Sequence, residues 1–351
     1  MVTGTVTGAG APGTGPAAGT RTGPQAPPVD GELLSCYGSA LAAYLDATGR
    51  DWLSALGSSC PLDLRTEADG VHAFRHLPAG LRAARGPLPL VRRGAADADG
   101  ALAGIAAEYA ASGAVVVVGD AHNLPWLTAH QQRHAPHWFV VDGYGDGRWH
   151  VRDDFRAADD LGDQSAWSGW TDGDGLRAWS RRVPELTLPF LLQERHAFGD
   201  EDDADLYAGH QWFAVRGPAD APPGPDPRPQ SWLRAADALH ALAGHFERLG
   251  GHEDGYVQAD EIWTAARQRA LHLRYATWQG RTGAAPDAAA VERLTALAAD
   301  WARLPMMIRF ARLSLRRPGP ARTGPLVAAL HELAAAESAA PAPLAADGRD
   351  T

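Results

Sequence analysis

Lysine is missing from this chain altogether: all 32 of its non-histidine basic residues are arginines. Schiff-base chemistry and a Walker-type phosphate loop both need a lysine amine, so both are excluded. Cysteine is nearly absent as well. Cys36 and Cys60 are the only two in 351 residues, too few for a disulfide framework. No run approaches the roughly 18 apolar residues of a membrane helix. The N-terminus has no apolar stretch between a basic start and a cleavage site, so no signal peptide is expected. A cytoplasmic location with reduced thiols follows as the expectation. Positive charge is in deficit, with a formal net charge of −10, which leaves no electrostatic footprint for general nucleic-acid binding.

The rest of the composition is ordinary, at 45% hydrophobic and 21% charged, and the length suits one large domain or two modest ones. Residues 1–29 are mostly Gly, Ala, Thr and Pro. They hold too little apolar surface to offset ordering entropy and read as a disordered tail. Between 30 and 217 the signals alternate. CYGSALAAYLDATG (36–49) carries Leu41, Tyr44 and Leu45 at helical spacing and stops at Gly49, and 101–112 reads as a second helix. GAVVVVGD (113–120) is a continuous Val-rich run, the pattern of a buried strand. HWFVVDGY (137–144) and RWHVRDD (148–154) flank a Gly-Asp-Gly turn, a hairpin signal. LPFLL (188–192) and HQWFAV (210–215) are weaker strand candidates. PADAPPGPDPRPQ (218–230) reads as a Pro-rich linker. Beyond it, 231–249, 257–279, 289–316 and 325–337 read as helices of a separate domain (231–337), and 338–351 as a frayed tail. The fold class expected is α+β, followed by an α-helical domain.

A nucleophilic thiol needs surroundings that favour the thiolate. Cys36 opens an expected helix, where unpaired N–H groups and the helix dipole favour negative charge; Cys60 does not. In the hairpin, residues 137, 139, 141 and 143 share one face. A two-residue loop would bring Asp154 onto that face. A three-residue loop, Gly145-Asp146-Gly147, would bring Asp153 there instead, diagonal to His137. Such loops favour Gly at their last position, which selects Asp153. An acid in that place orients one ring nitrogen of His137 and leaves the other for a thiol.

The span from Gly31 to about Phe155 resembles the butirosin biosynthesis protein H N-terminal family. Four pieces carry the resemblance: the Cys-x-x-x-x-Leu helix start (Cys36, Leu41), ALGSS (55–59), VVVVGDAHNLPW (115–126), and HWFVVDGY with VRDD. RYATW (274–278) and DWARL (300–304) more loosely resemble its C-terminal extension. The resemblance implies a papain-like fold, with Cys36 as nucleophile, His137 as base and Asp153 as orienting acid. It also implies a papain-like cysteine acyltransferase of natural-product biosynthesis. Such an enzyme moves an acyl group from an acyl carrier protein thioester to an amine or internal nucleophile, with no cofactor beyond the carrier's phosphopantetheine. The chain departs from the pattern at Ser35, where the family commonly has His, and at Asp30, where papain-like peptidases carry an oxyanion-stabilising Gln. A thioesterase, cyclase or peptidase with the same triad is the neighbouring alternative, and a catalytically silent papain-like binding module the more distant one.

Asp120 and Asn123, in the loop after the Val-rich run, are candidate substrate contacts, and Trp126 and Trp138 candidate walls of an acyl channel. His130, His134 and His137 have metal-like spacing, but Pro136 breaks the helix that would gather them, so no metal is expected. The Arg-rich apolar segment 303–317 reads as an amphipathic helix. It is also a candidate docking face for an acidic carrier protein, through Arg309, Arg312, Arg316 and Arg317.

Overall fold

The computed structural model describes residues 26–67, 70–78, 81, 88, 90–159, 161–197, 209–215, 232–282 and 287–339. In chain order its elements are α1 (Cys36–Ala47), α2 (Trp52–Gly57), β1 (Asp63–Thr66), β2 (His72–Arg75), β3 (Leu90–Ala95), α3 (Ala98–Ser112), β4 (Val115–Asp120), β5 (Pro136–Gly145), β6 (Arg148–Asp153), β7 (Ala157–Asp159), β8 (Gly162–Gln164), β9 (Trp167–Thr171), α4 (Gly173–Trp179), α5 (Leu188–His196), β10 (His210–Val215), β11 (Leu233–Arg234), α6 (Ala235–Leu249), α7 (Ala259–Thr282), α8 (Ala288–Ser314) and α9 (Gly324–Ala339). The chain is thus mixed α and β, with its strands in the first two thirds and its longest helices at the end.

A six-stranded antiparallel sheet in the order β3-β10-β4-β5-β6-β9 forms the centre. Both of its faces are covered, which explains why β4 is apolar without alternation. Val116, Val118, Trp138 and Val140 meet α1 and α2 on one side. Val115, Val117, Phe139 and Val141 meet Ala101 and Ile105 of α3 on the other. A third core gathers α6 to α9 and also takes in Leu62, Leu64 and Phe74 from β1, β2 and their approach. β11 adds to the same region by pairing with β1.

Three expectations are corrected. LPFLL is the start of helix α5, not a strand: Pro189 falls in its first turn, where a missing N–H costs nothing, and Leu192 and Glu194 point inward. The tail does not extend to residue 29. Ala26 and Val29 pack on the first core, and the Trp52 Nε1–H donates to the Pro27 carbonyl at 2.8 Å. Residues 1–25, the linker 218–230 and residues 340–351 lie outside the described residues.

The third correction concerns the hairpin. β5 and β6 are joined by a two-residue loop, Asp146-Gly147, with φ of +53° and +74°, the geometry of a tight I′-like turn. That loop alone would put Asp154 beside Phe139. A bulge at Asp142 absorbs one residue, so the pairs run Gly143↔His150, Val141↔Val151 and Val140↔Arg152. This brings Asp153 onto the face of Phe139 and His137. The residue expected is the one found, but the bulge and not the loop length puts it there.

Candidate active site

Cys36 is the first residue of α1 and is partly exposed. Ser35 caps the helix, its Oγ accepting the Gly38 N–H at 3.1 Å, which fixes where the helix begins and holds the sulfur at its positive end. His137, second in β5, is only 5% exposed. Its Nε2 bonds Asp153 Oδ2 at 2.7 Å. Cys36 is close enough to the ring to act on its charge state, and with Nε2 on Asp153 the nitrogen not used there is Nδ1.

Burial by itself would push the imidazole towards neutrality. The Asp153 charge and hydrogen bond, with a further contribution from Cys36, outweigh it and raise the His137 pKa to about 10. At neutral pH the ring is therefore an imidazolium paired with the Asp153 carboxylate.

Asp153 is buried and held by three donors. His137 Nε2 and Trp126 Nε1 both reach Oδ2 at 2.7 Å, and the Phe155 N–H reaches Oδ1 at 3.0 Å. Trp126 is itself fixed by stacking on Trp167, at 4.2 Å between centroids and 3° between planes, and by an edge contact with Trp179. Asp154, the alternative partner, instead bonds Arg152, which also reaches Asp46 of α1.

The remaining sequence candidates separate from this cluster. Trp126, partly exposed, has its polar edge on Asp153. Trp138 is fully buried on the opposite face, packed on Tyr37 and Phe213, with Nε1 donating to Glu194 at 2.7 Å. Asp120 is fully buried and pins the loop before β5: it bonds His134 Nδ1 at 2.5 Å and accepts the His122 and Ala135 N–H groups. It is a loop anchor, not a substrate contact. Asn123 is half-buried in a single 3-10 turn, Ala121–Asn123. His134 stacks on His122 while His137 turns to Asp153. Among the described residues no group of three or more His, Cys, Asp or Glu is placed to hold a metal ion. Asp30 accepts the Glu32 N–H and pairs with Arg274 at 2.5 Å, tying the segment before Cys36 to α7.

A shallow cleft open to solvent has Gly119, Pro136, Leu186, Glu194 and Gln211 among its lining residues. Pro136 precedes His137 and Gly119 is the cross-strand partner of His137, but Glu194, bonded to Trp138, sets the cleft on the Trp138 face of the sheet, and none of Cys36, His137 and Asp153 lines it. Its floor is firm. Arg92, buried below, donates to Glu194 Oε2 at 3.0 Å and to Gln211 Oε1 at 2.6 Å. Sequence reading missed Arg92, Glu194, Phe155 and the α7 residues near the site. Each is an unremarkable residue type in its own segment, and only long-range packing brings them together. No protein-family model and no curated protein matches this chain.

Proposed function

We propose that this protein is a papain-like cysteine acyltransferase that takes an acyl group from a carrier-protein thioester and passes it to an amine or an internal nucleophile. The observation that carries the reading is the His137–Asp153 pair, with one imidazole nitrogen on the carboxylate and Cys36, at the start of a helix, close enough to act on the ring.

In this mechanism the Cys36 thiolate attacks the thioester carbonyl. The backbone N–H of Cys36, in the first turn where helix N–H groups lack an intrahelical acceptor, steadies the oxyanion. The carbon–sulfur bond to the carrier arm breaks, and the departing thiolate takes the proton from His137. The acceptor amine then attacks the acyl–Cys36 thioester and gives its proton to His137. Collapse releases the product amide and regenerates thiolate and imidazolium. Asp153 holds the ring in register throughout.

The test is incubation with an acyl-pantetheine thioester, read by intact and peptide mass. An adduct of acyl mass on Cys36, absent from Cys36→Ser and discharged faster when an amine is added, supports transfer. Discharge at the same rate without amine replaces transfer by hydrolysis. No adduct on the folded protein, with either a pantetheine or a carrier thioester, leaves a binding module.

A further inference from the structure

The segment that carries Cys36 into its site belongs to no strand ladder. From Val29 to Ser35 it holds one 3-10 turn, Gly31–Leu33, and then extended backbone at Leu34. It is pressed between the end of β6 and α7: a Cβ on Gly31 would stand 1.7 Å from the Asp154 carbonyl oxygen, so only glycine fits there. On the α7 side a single guanidinium closes the contact. Arg267 donates to the Gly31 carbonyl at 2.8 Å and to the Leu34 carbonyl at 2.7 Å, the second of these two residues before Cys36.

The same guanidinium reaches the other half of the dyad. It lies 3.7 Å from the centroid of the Trp263 ring, one helical turn earlier on α7, and 5.9 Å from that of Phe155. Phe155 touches Trp263 edge-on at 6.2 Å and the His137 ring at 5.6 Å, and its N–H bonds Asp153 at 3.0 Å. Burial lowers the Arg267 pKa to about 10, with the charges of Glu32 and Asp30 opposing that shift. A half-buried cation set against two carbonyls and two aromatic faces has specific geometry that a surface arginine lacks.

We infer that Arg267 is a positioning residue of the cysteine site, holding the Cys36 segment by its carbonyls and the His137 ring through Trp263 and Phe155. The inference rests on the reading of Cys36 as nucleophile given above. It makes α7, far along the chain, part of the active-site frame.

The test reads Cys36 itself and needs no substrate. Iodoacetamide labelling of Cys36 is followed by mass spectrometry across pH in the intact chain, with near-UV circular dichroism to show that each variant is folded. Wild type should label readily at mildly acidic pH. Arg267→Met keeps the aliphatic stem but loses both donors. It should slow labelling at neutral pH about tenfold, as expected for lost charge-assisted hydrogen bonds, and move the profile up towards that of a free thiol, about 8.5. Arg267→Lys should recover much of the difference. A folded Arg267→Met with the wild-type profile overturns the inference, because a residue that only stabilises the fold would lower the melting point and leave the profile in place. If Arg267→Met does not fold, Trp263→Leu decides: a smaller upward shift supports the inference, and an unmoved profile overturns it. A wild-type profile already like that of a free thiol removes the nucleophile reading and the inference together.

Discussion

At the scale of single residues, the two cysteines differ by environment more than by exposure. Cys60 follows α2 and its pKa is raised by burial, whereas Cys36 starts a helix beside an imidazolium. Iodoacetamide at neutral pH should therefore label Cys36 first; prior labelling of Cys60 would sink the assignment. His137→Ala should abolish turnover, since nothing else at the site moves the proton. Asp153→Asn should cost less, because an amide oxygen can still accept from His137 and Trp126. Its amide nitrogen would then face the Phe155 N–H, a donor against a donor, at a cost of about 1–3 kcal/mol. Loss of the carboxylate charge should also bring the His137 pKa down from about 10, visible by NMR titration of the ring. If Asp154→Asn proved more damaging than Asp153→Asn, the observed pairing would be wrong. The helix start at Cys36 and the strand of His137 were legible from local sequence, because those signals are local; Asp153 was reached through a loop length the hairpin does not have, and the Asp142 bulge that brings it to His137 leaves no local signal. The partners Trp126 and Phe155 were not read in these roles, since nothing nearby in sequence says which way an indole nitrogen or a backbone N–H will point.

At the scale of elements, the hairpin β5–β6 shows how one residue of register decides chemistry. The two-residue turn and the Asp142 bulge together place Asp153 opposite Phe139. Removing Asp142 would make Val141↔Val151 and Gly143↔His150 consecutive pairs and leave the pairing near His137 as it is. A deletion of Asp142 should accordingly preserve Cys36 labelling and activity, with a loss of stability from the vanished Asp142–His150 contact at 2.5 Å. Inactivity in a folded deletion variant would mean that the bulge does more than set register. α8 makes a different point. It turns Leu304, Ile308 and Ala311 into the third core, as its spacing of three and four predicts. Yet Met306, Phe310 and Leu313 stay 67%, 49% and 45% exposed on the opposite stripe, among Arg309, Arg312, Arg316 and Arg317. Arg312 pairs with Glu253, and Arg322 lies 5.9 Å from the Phe310 ring. Changing Arg309, Arg312, Arg316 and Arg317 together to Ser should weaken use of an acidic carrier substrate, mostly through a slower and less salt-sensitive association, and spare a small thioester. Equal loss on both substrates would assign these arginines to folding or to the site itself, and no loss on either would leave them a solvated face.

At the scale of the whole molecule, buried histidines make stability depend on pH from both sides. His72 is pushed down to about 4 by burial and then by the neighbouring His245 and Arg248; its ring sits 3.2 Å from His245, whose Nε2 meets the Gly255 carbonyl at 3.0 Å. His245 and His272 are lowered as well, each chiefly by burial. These folded-state values lie below the unfolded value of about 6.5. The unfolded chain thus binds the extra protons, and stability is lost as pH falls from about 6.5 towards 4. His137 has the opposite sign. Its folded value of about 10 lies above the unfolded one, so its contribution is complete below about 6.5 and disappears as pH rises towards 10. Melting temperatures measured from pH 4 to 10 should fall on both sides of neutrality. The difference between wild type and His137→Ala should shrink only on the alkaline side, and a constant difference would contradict the assigned ion pair. Among the described residues no helix is long and apolar enough to cross a membrane.

The sequence by itself determined the elements whose signals are short in range: the α1 start at Cys36, the buried β4, the β5–β6 hairpin and the four long C-terminal helices. It also singled out Cys36 and His137 as the candidate pair, because strand alternation and a helix terminus are read within a few residues. Tertiary structure decided the rest. LPFLL became helix α5 through packing of Leu192 and a buried Glu194 bonded to Arg92 and Trp138, partners roughly 60 to 100 residues away. Asp120 and Trp138, which looked like substrate residues, were taken up by a loop anchor and a core. Most of all, the segment carrying Cys36 is held by Arg267, more than two hundred residues later. An exposed arginine and one that clamps two carbonyls are the same letter on the same helical pattern, and only the packed chain tells them apart.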